Sequence, residues 1–137
     1  MERALGLDVG DRTIGIAVSD LLGMTAQGVE TIRRSTMEAD IDRLKELTVQ
    51  YETTKFIVGY PRNMNGTEGP RCEFVNEFCD EVRKGIPEAD IVLWDERLST
   101  VAATRSLIEA DVSRKKRKKV IDKMAAVFIL QGWLDSK

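Results

Sequence analysis

The chain of 137 residues contains no histidine. That absence removes Ser-His-Asp and Cys-His catalysis, histidine-ligated zinc and imidazole proton shuttles, leaving any chemistry to carboxylates, hydroxyls, amines and guanidinium groups. Nor does any apolar run approach the roughly 20 residues of a membrane span. Charged Glu2 and Arg3 lead straight into an apolar stretch and leave no room for a signal peptide. The expectation is a cytoplasmic protein with no membrane partner. There are only two cysteines, Cys72 and Cys79. Two helical turns apart, they suit buried thiols better than a disulfide or a metal knuckle. Aromatic residues make up 6%, and Trp94 and Trp133 fall in core patterns, so no stacking platform for single-stranded bases is evident. The apolar fraction of 42% suits one globular domain over residues 1–137. The formal net charge is −2, but the charges are unevenly placed and local clusters carry more information than the balance.

What is present is organised around residues 4–20. Leu5, Leu7 and Val9 alternate with Ala4, Gly6 and Asp8, as a pleated strand requires. Asp8 therefore sits on a strand face cleared of bulk. Gly10-Asp11-Arg12-Thr13 reads as a turn, after which Ile14, Ile16 and Val18 alternate with Gly15, Ala17 and Ser19. The pair forms a hairpin whose bare face something else covers closely. A carboxylate on such a face is costly unless paired, protonated or bound to a cation.

Gly28–Arg34 alternates as a third, edge strand, and Ser35-Thr36-Met37-Glu38 reads as a capping box opening a helix over about 36–51. The nearly continuous apolar run 55–60 predicts a strand buried on both faces in a parallel arrangement, ending at Pro61. Loop 61–69 places Arg62, Asn63 and Asn65 beyond that strand's carboxyl end, the edge at which open α/β sheets bind ligands. Pro70 opens a second helix, running to about Gly85. Residues 90–94 form another buried strand, with Asp95-Glu96-Arg97 at its end. Ser99 or Thr100 caps a third helix through about Ala110. Arg114 to Lys119 are six consecutive cations, and a last helix follows over about 120–134. This order describes an α/β layered domain with a meander at its start and right-handed crossovers after it.

In the last helix Asp122, Ala125, Ala126, Ile129, Leu130 and Trp133 share one stripe, so the aspartate stands on the buried face. An acid near a helix start is often favoured by the helix dipole alone. However, Ala125 and Ala126 are small, as are Ala4 and Gly6, and two such surfaces can approach closely, bringing Asp122 towards Asp8. Glu96 extends the alternation of Val92 and Trp94, which puts it on a definite face; an ordinary ion-paired strand end is the alternative for 95–97. Three acids on three elements, each in a buried-type pattern, are best explained by a hard divalent cation. Mg²⁺ binds through one or two carboxylates plus waters and substrate phosphate, and two such ions about 4 Å apart can promote phosphodiester hydrolysis.

Four blocks, Leu7–Asp20, Val58–Pro70, Trp94–Thr100 and Ile121–Leu134, together resemble the YqgF family. Its members are described as Holliday junction resolvases and as pre-16S rRNA nucleases. The resemblance spans nearly the whole chain. It implies an RNase H-like fold: a five-stranded mixed sheet, three antiparallel strands continued by two parallel ones, with helices on both faces. It implies also a nuclease site dependent on Mg²⁺ or Mn²⁺. Carried over by motif, the family's catalytic and metal-holding acids fall on Asp8, Glu96 and Asp122. Tyr60 stands where a leucine is usual, Ser99 replaces a usual threonine and Trp133 a usual tyrosine.

The expected activity is hydrolysis of phosphodiester bonds in structured RNA, with 5′-end maturation of a ribosomal RNA precursor implied by the resemblance. Resolution of branched DNA is the alternative. A non-catalytic nucleic-acid-binding module and an actin-like ATPase rank below it, the ATPase because it needs a second lobe. Arg12, Arg62 and Arg97, with Asn63 and Asn65, are candidates for positioning phosphate. The basic run, Arg114, Lys115, Lys116 and Arg117 foremost, fits sequence-independent backbone contacts; a solvated charged loop is its alternative. A monomer or weak homodimer is expected.

Overall fold

A computed structural model describes residues 3–98 and 114–137, with side chains at 3–97 and 124–137. The expected third helix over 99–110 lies outside the described residues. Strands β1 (Leu5–Val9), β2 (Thr13–Ser19), β3 (Ala26–Arg33), β4 (Lys55–Tyr60) and β5 (Asp90–Asp95) alternate with helices α1 (Met37–Gln50), α2 (Pro70–Gly85) and α3 (Arg114–Asp135). The strands form one sheet in the order β3-β2-β1-β4-β5. The first three are antiparallel, and β4 and β5 extend the sheet in parallel from β1, as expected. Among the described residues no helix is long and apolar enough to cross a membrane.

Alternation decides which layer each strand residue meets. Leu5, Leu7 and Val9 join Phe56, Val58 and Tyr60 in a core shared with Ile41, Leu44 and Leu47 of α1 and Val75, Phe78 and Val82 of α2. The opposite parity, Ala4 and Ala17 with Ile57, packs on Ala125, Ala126, Ile129 and Leu130 of α3. The first core holds large side chains and the second mostly small ones, so α3 lies closer to the sheet than α1 or α2 can. Both cysteines are buried, unpaired thiols within the first core.

Two local expectations need correction. The cap of α1 is Thr36, whose Oγ1 accepts a hydrogen bond from the Ala39 amide at 3.1 Å. The capping box placed at Ser35 to Glu38 is therefore out by one: with Thr36 at the cap the third helical position is Ala39, which has no side chain to reach back. Helix α3 begins at Arg114 rather than near Val120. The basic run thus belongs to the helix, because unbranched lysine and arginine propagate a helix well and no glycine or proline interrupts them.

The turn after β1 is fastened from the α1 side. Arg34 donates through Nε to Asp40 at 2.8 Å and through Nη1 to the Gly10 carbonyl at 2.9 Å, and its guanidinium lies over the rings of Phe74 and Phe78. The ion pair is buried, with the Asp40 side chain 3% and that of Arg34 11% exposed. Removing one partner from such a pair strands the other without compensation. Asp40→Ala is accordingly expected to cost about 3–5 kcal/mol in urea-induced unfolding, several times the loss from an exposed pair such as Arg83 and Asp80.

Candidate active site

Asp8 is the fourth residue of β1 and stands half-buried at the sheet's carboxyl edge. Across β2 its partner is Gly15. On the other side the register that sets Leu7 opposite Val58 brings Asp8 level with Gly59. The carboxylate therefore rises between two residues that have no side chain. By parity it shares the α3 face with Ala4 and Gly6.

Glu96 opens a short 3-10 turn directly after β5. It keeps the parity of Val92 and Trp94, both packed against the α3 core, and so resolves to the same face as Asp8. Its side chain reaches back over β4: a Cβ built on Gly59 would stand 2.7 Å from Glu96 Oε1. Neighbouring strands are about 4.8 Å apart, so one strand spacing separates this oxygen's column from that of Asp8. Glu96, 88 positions further along the chain, thus places its carboxylate over the glycine of the strand next to that of Asp8. Asp122, the third acid, lies in α3 four residues before Ala126; its side chain lies outside the described residues.

Gly59 escaped sequence reading as a site residue, although its signal was visible: an isolated glycine inside an apolar strand marks close approach of something from outside the strand. Gly6 has the same role one step deeper, since a Cβ there would meet Leu130 Cβ at 2.7 Å and the Ala126 carbonyl oxygen at 2.9 Å. Arg71 also went unnoticed. From the first turn of α2 it donates to Asp11 at 2.9 Å and to the Val9 carbonyl at 3.4 Å, fastening the residues that follow Asp8.

The remaining candidates divide. Arg12 is exposed in the β1–β2 turn, its carbonyl held by the Arg34 amide. Arg62 and Arg97 converge on Asp95. Arg97 binds its carboxylate through Nη2 at 2.8 Å and through Nε, and Arg62 Nε stands 3.9 Å away. These contacts, the Arg97 hydrogen bonds first, hold the Asp95 carboxyl below the ordinary carboxylate range. Asn63 and Asn65 are engaged within their own loop. Asn63 Nδ2 donates to Thr67 Oγ1 at 3.0 Å, and Asn65 Oδ1 accepts from the Thr67 amide at 3.1 Å and hydroxyl at 2.6 Å. Behind the loop the Tyr60 hydroxyl donates to Glu68 and accepts from Asn76 Nδ2; the glutamate and burial push its pKa up to about 12. Arg114, Lys115, Lys116 and Arg117 occupy the first turn of α3, with side chains outside the described residues.

The sequence pattern of the RuvX family, described as Holliday junction resolvases, matches residues 2–136. The chain belongs to that family. A protein of Clostridium tetani is 58% identical over 134 residues, covering 98% of this chain and 96% of its own. One of Clostridioides difficile is 60% identical, covering 98% and 95%. Both carry the name "Putative pre-16S rRNA nuclease". RuvC of Thermus thermophilus bound to a Holliday junction substrate superposes with a TM-score of 0.63 over 99% of this chain and 96% of its own, at 11% identity. The fowlpox virus resolvase gives 0.51 over 98% and 97%, at 7% identity. At such identities the likeness shows the RNase H-like fold. The RuvX chain is thus a nuclease, a hydrolase of phosphodiester bonds, and the ATPase alternative falls away.

The two glycines predict opposite phenotypes. At Gly59 an added Cβ meets side chains and no backbone, Ile129 Cδ1 at 2.5 Å and Cγ1 at 3.3 Å and Glu96 Oε1 at 2.7 Å. Gly59→Ala should therefore fold with a loss of about 1–2 kcal/mol and lose at least tenfold in cleavage rate as Glu96 is displaced. Gly6→Ala collides with α3 backbone and should be the more destabilised of the two in thermal melts.

Proposed function

We propose that this RuvX chain cleaves structured RNA at the 5′ side of the 16S rRNA precursor, using Asp8, Glu96 and Asp122 to hold one or two Mg²⁺ or Mn²⁺ ions. The observation that carries the reading is the approach of Glu96 over Gly59 to the column of Asp8. Gly15 and Gly59 flank Asp8 at the sheet's carboxyl edge, which leaves room beside its carboxylate for Glu96 and for a cation of the kind that hard oxygen ligands hold.

The donor set fits such a cation. Asp8 and Glu96 offer hard oxygen atoms, and Mg²⁺ uses one or two carboxylates with water and substrate phosphate completing the shell. Among the described residues no three acids or cysteines gather closely enough to hold a metal; the course of α3 supports Asp122 as a third ligand beside Asp8 and Glu96. Trp133 lies by Lys55 at the start of β4, and Ala126 lies over Gly6. Followed backwards, the helix therefore climbs towards the carboxyl end of β1. One turn from Ala126 is about 5.4 Å and two residues of strand about 6.6 Å, which brings position 122 level with Asp8. When bound, the cation supplies Lewis acidity to a water and to the phosphate.

The chain's own groups bind and orient the nucleic acid. Arg12, Arg62 and Arg97 stand at the carboxyl edge beside the acids and meet backbone phosphates there. The basic run lies at the same end of α3 as Asp122. A helix distributes six consecutive cations around its whole circumference, so about half of them can face one strand at a time. Precursor rRNA takes precedence over branched DNA because the relatives named for it are 58% and 60% identical, whereas the superposed resolvases share only the fold.

Asp8→Asn and Asp122→Asn are expected to lower Mg²⁺-dependent cleavage of a precursor 16S rRNA 5′ segment by at least a thousandfold, with melting temperature unchanged or raised. Measured side by side, a four-way DNA junction should be cut more slowly than the RNA by wild type. Cleavage undiminished in either variant would remove the assigned site, and preference for the junction would exchange the substrate.

A further inference from the structure

The function proposed above has no place for Asp95, an acid between two arginines at the mouth of a site for a polyanion. Simple charge counting makes it a hindrance. Its geometry says otherwise. Asp95 pairs with Tyr60 across β4 and β5, so it faces away from Glu96, towards loop 61–69. It accepts from the Arg97 amide at 3.0 Å, from Nε and from Nη2. The second arm of the guanidinium, Nη1, reaches the Met64 carbonyl at 3.4 Å. Arg62 stands 3.9 Å from the same carboxylate, lies over the Tyr60 ring and donates to the Gly66 carbonyl at 3.3 Å. The Asp95 side chain is 17% exposed, against 33% for Arg97 and 39% for Arg62. The acid is thus the inner member and the two cations the outer ones.

We infer that Asp95 is a positioning residue that fixes Arg62 and Arg97 as a paired guanidinium cradle for a backbone phosphate flanking the one cleaved. One carboxylate against two guanidiniums leaves the cluster net positive. Freed from it, Arg97 would regain the rotamer freedom that a fixed fork gives up, and loop 61–69 would lose its tie to β5. The phosphate meets the outward edges of both cations while Asp95 holds their inward edges. The Tyr60 hydroxyl and Glu68 anchor the other end of the same loop to α2 through Asn76.

This inference rests on the chain acting on nucleic acid, and the experiment separates the two. Steady-state cleavage and metal-free binding of the precursor rRNA segment, the latter by fluorescence anisotropy in EDTA, are measured for wild type, Asp95→Asn, Arg97→Ala and the double variant. Asp95→Asn is expected to raise KM and Kd about tenfold with kcat within twofold. The double variant should lose less than the sum of the two single variants, because Asp95 acts partly through Arg97 and only its hold on Arg62 remains to be lost. Arg97→Lys, which keeps the cation and loses the fork, should behave like Asp95→Asn and serves if that variant fails to fold. If Asp95 only repels substrate, its removal will tighten binding; tightened or unchanged binding, or additive effects in the double variant, overturns the inference. Wild type that neither binds nor cleaves the RNA or a DNA junction overturns the function itself.

Discussion

A helix can bring its backbone against a β-strand only at a residue that has no side chain, and the contact between α3 and Gly6 meets that condition. With a Cβ position 2.7 Å from Leu130 Cβ, the helix occupies the space that any other residue would fill. Everything on that face follows from the closeness. Ala4, Ala17, Ala125 and Ala126 are small because the gap is narrow. Gly59 lets Glu96 pass over β4, and Asp8 stands where the cleared surface meets the sheet's edge. The apparent waste of apolar burial on this face is what lets Glu96 come over β4 beside the strand that carries Asp8.

The opposite face supplies what that arrangement gives up. Leu5, Leu7, Phe56, Leu44, Leu47 and Phe78 are fully or almost fully buried, and burial of each such side chain is worth about 1.5–3 kcal/mol. The same layer also aligns the site. Arg34 from the α1 side and Arg71 from α2 both bind the backbone or side chains of residues 9–11. The turn after Asp8 is therefore held from two directions, and the carboxylate has little freedom to move with the hairpin. Stability and preorganisation come from one set of contacts, on the side of the sheet away from the chemistry.

Much of this was legible in the sequence because it is written in periodicity. The 2-residue alternation of 4–19 fixed the parity of Asp8. The apolar run 55–60 marked β4 to the residue, and Pro70 and Gly85 marked the ends of α2. What periodicity cannot show is contact between distant residues. Glu96 had a definite face, but which face depended on packing against α3. Arg62 and Arg97 stood out as cations beside the motifs, yet nothing in their spacing showed that Asp95 would draw them together. Nor did anything in the sequence show that Arg34 and Asp40 would meet as a buried pair. The basic run was misread for a different reason: charge repulsion argued for a loop, and backbone propensity prevailed.

Asp8 and Glu96 are both half-buried, and a half-buried carboxylate persists where the rest of the structure over-determines its place. The over-determination is visible in how few degrees of freedom the acids retain. Asp8 is fixed by a central strand paired on both sides, and Glu96 by a 3-10 turn whose next residue, Arg97, is bonded back to Asp95. The bond that orients Arg97 also sets the turn that aims Glu96. The orientation of Arg97 and the placing of Glu96 are therefore coupled through three consecutive residues. Asp95→Asn keeps an oxygen that can accept from the Arg97 amide, so the turn at 96 is retained while the guanidinium is released, and the separation of KM from kcat distinguishes an effect on the arginines from one on the acid beside them.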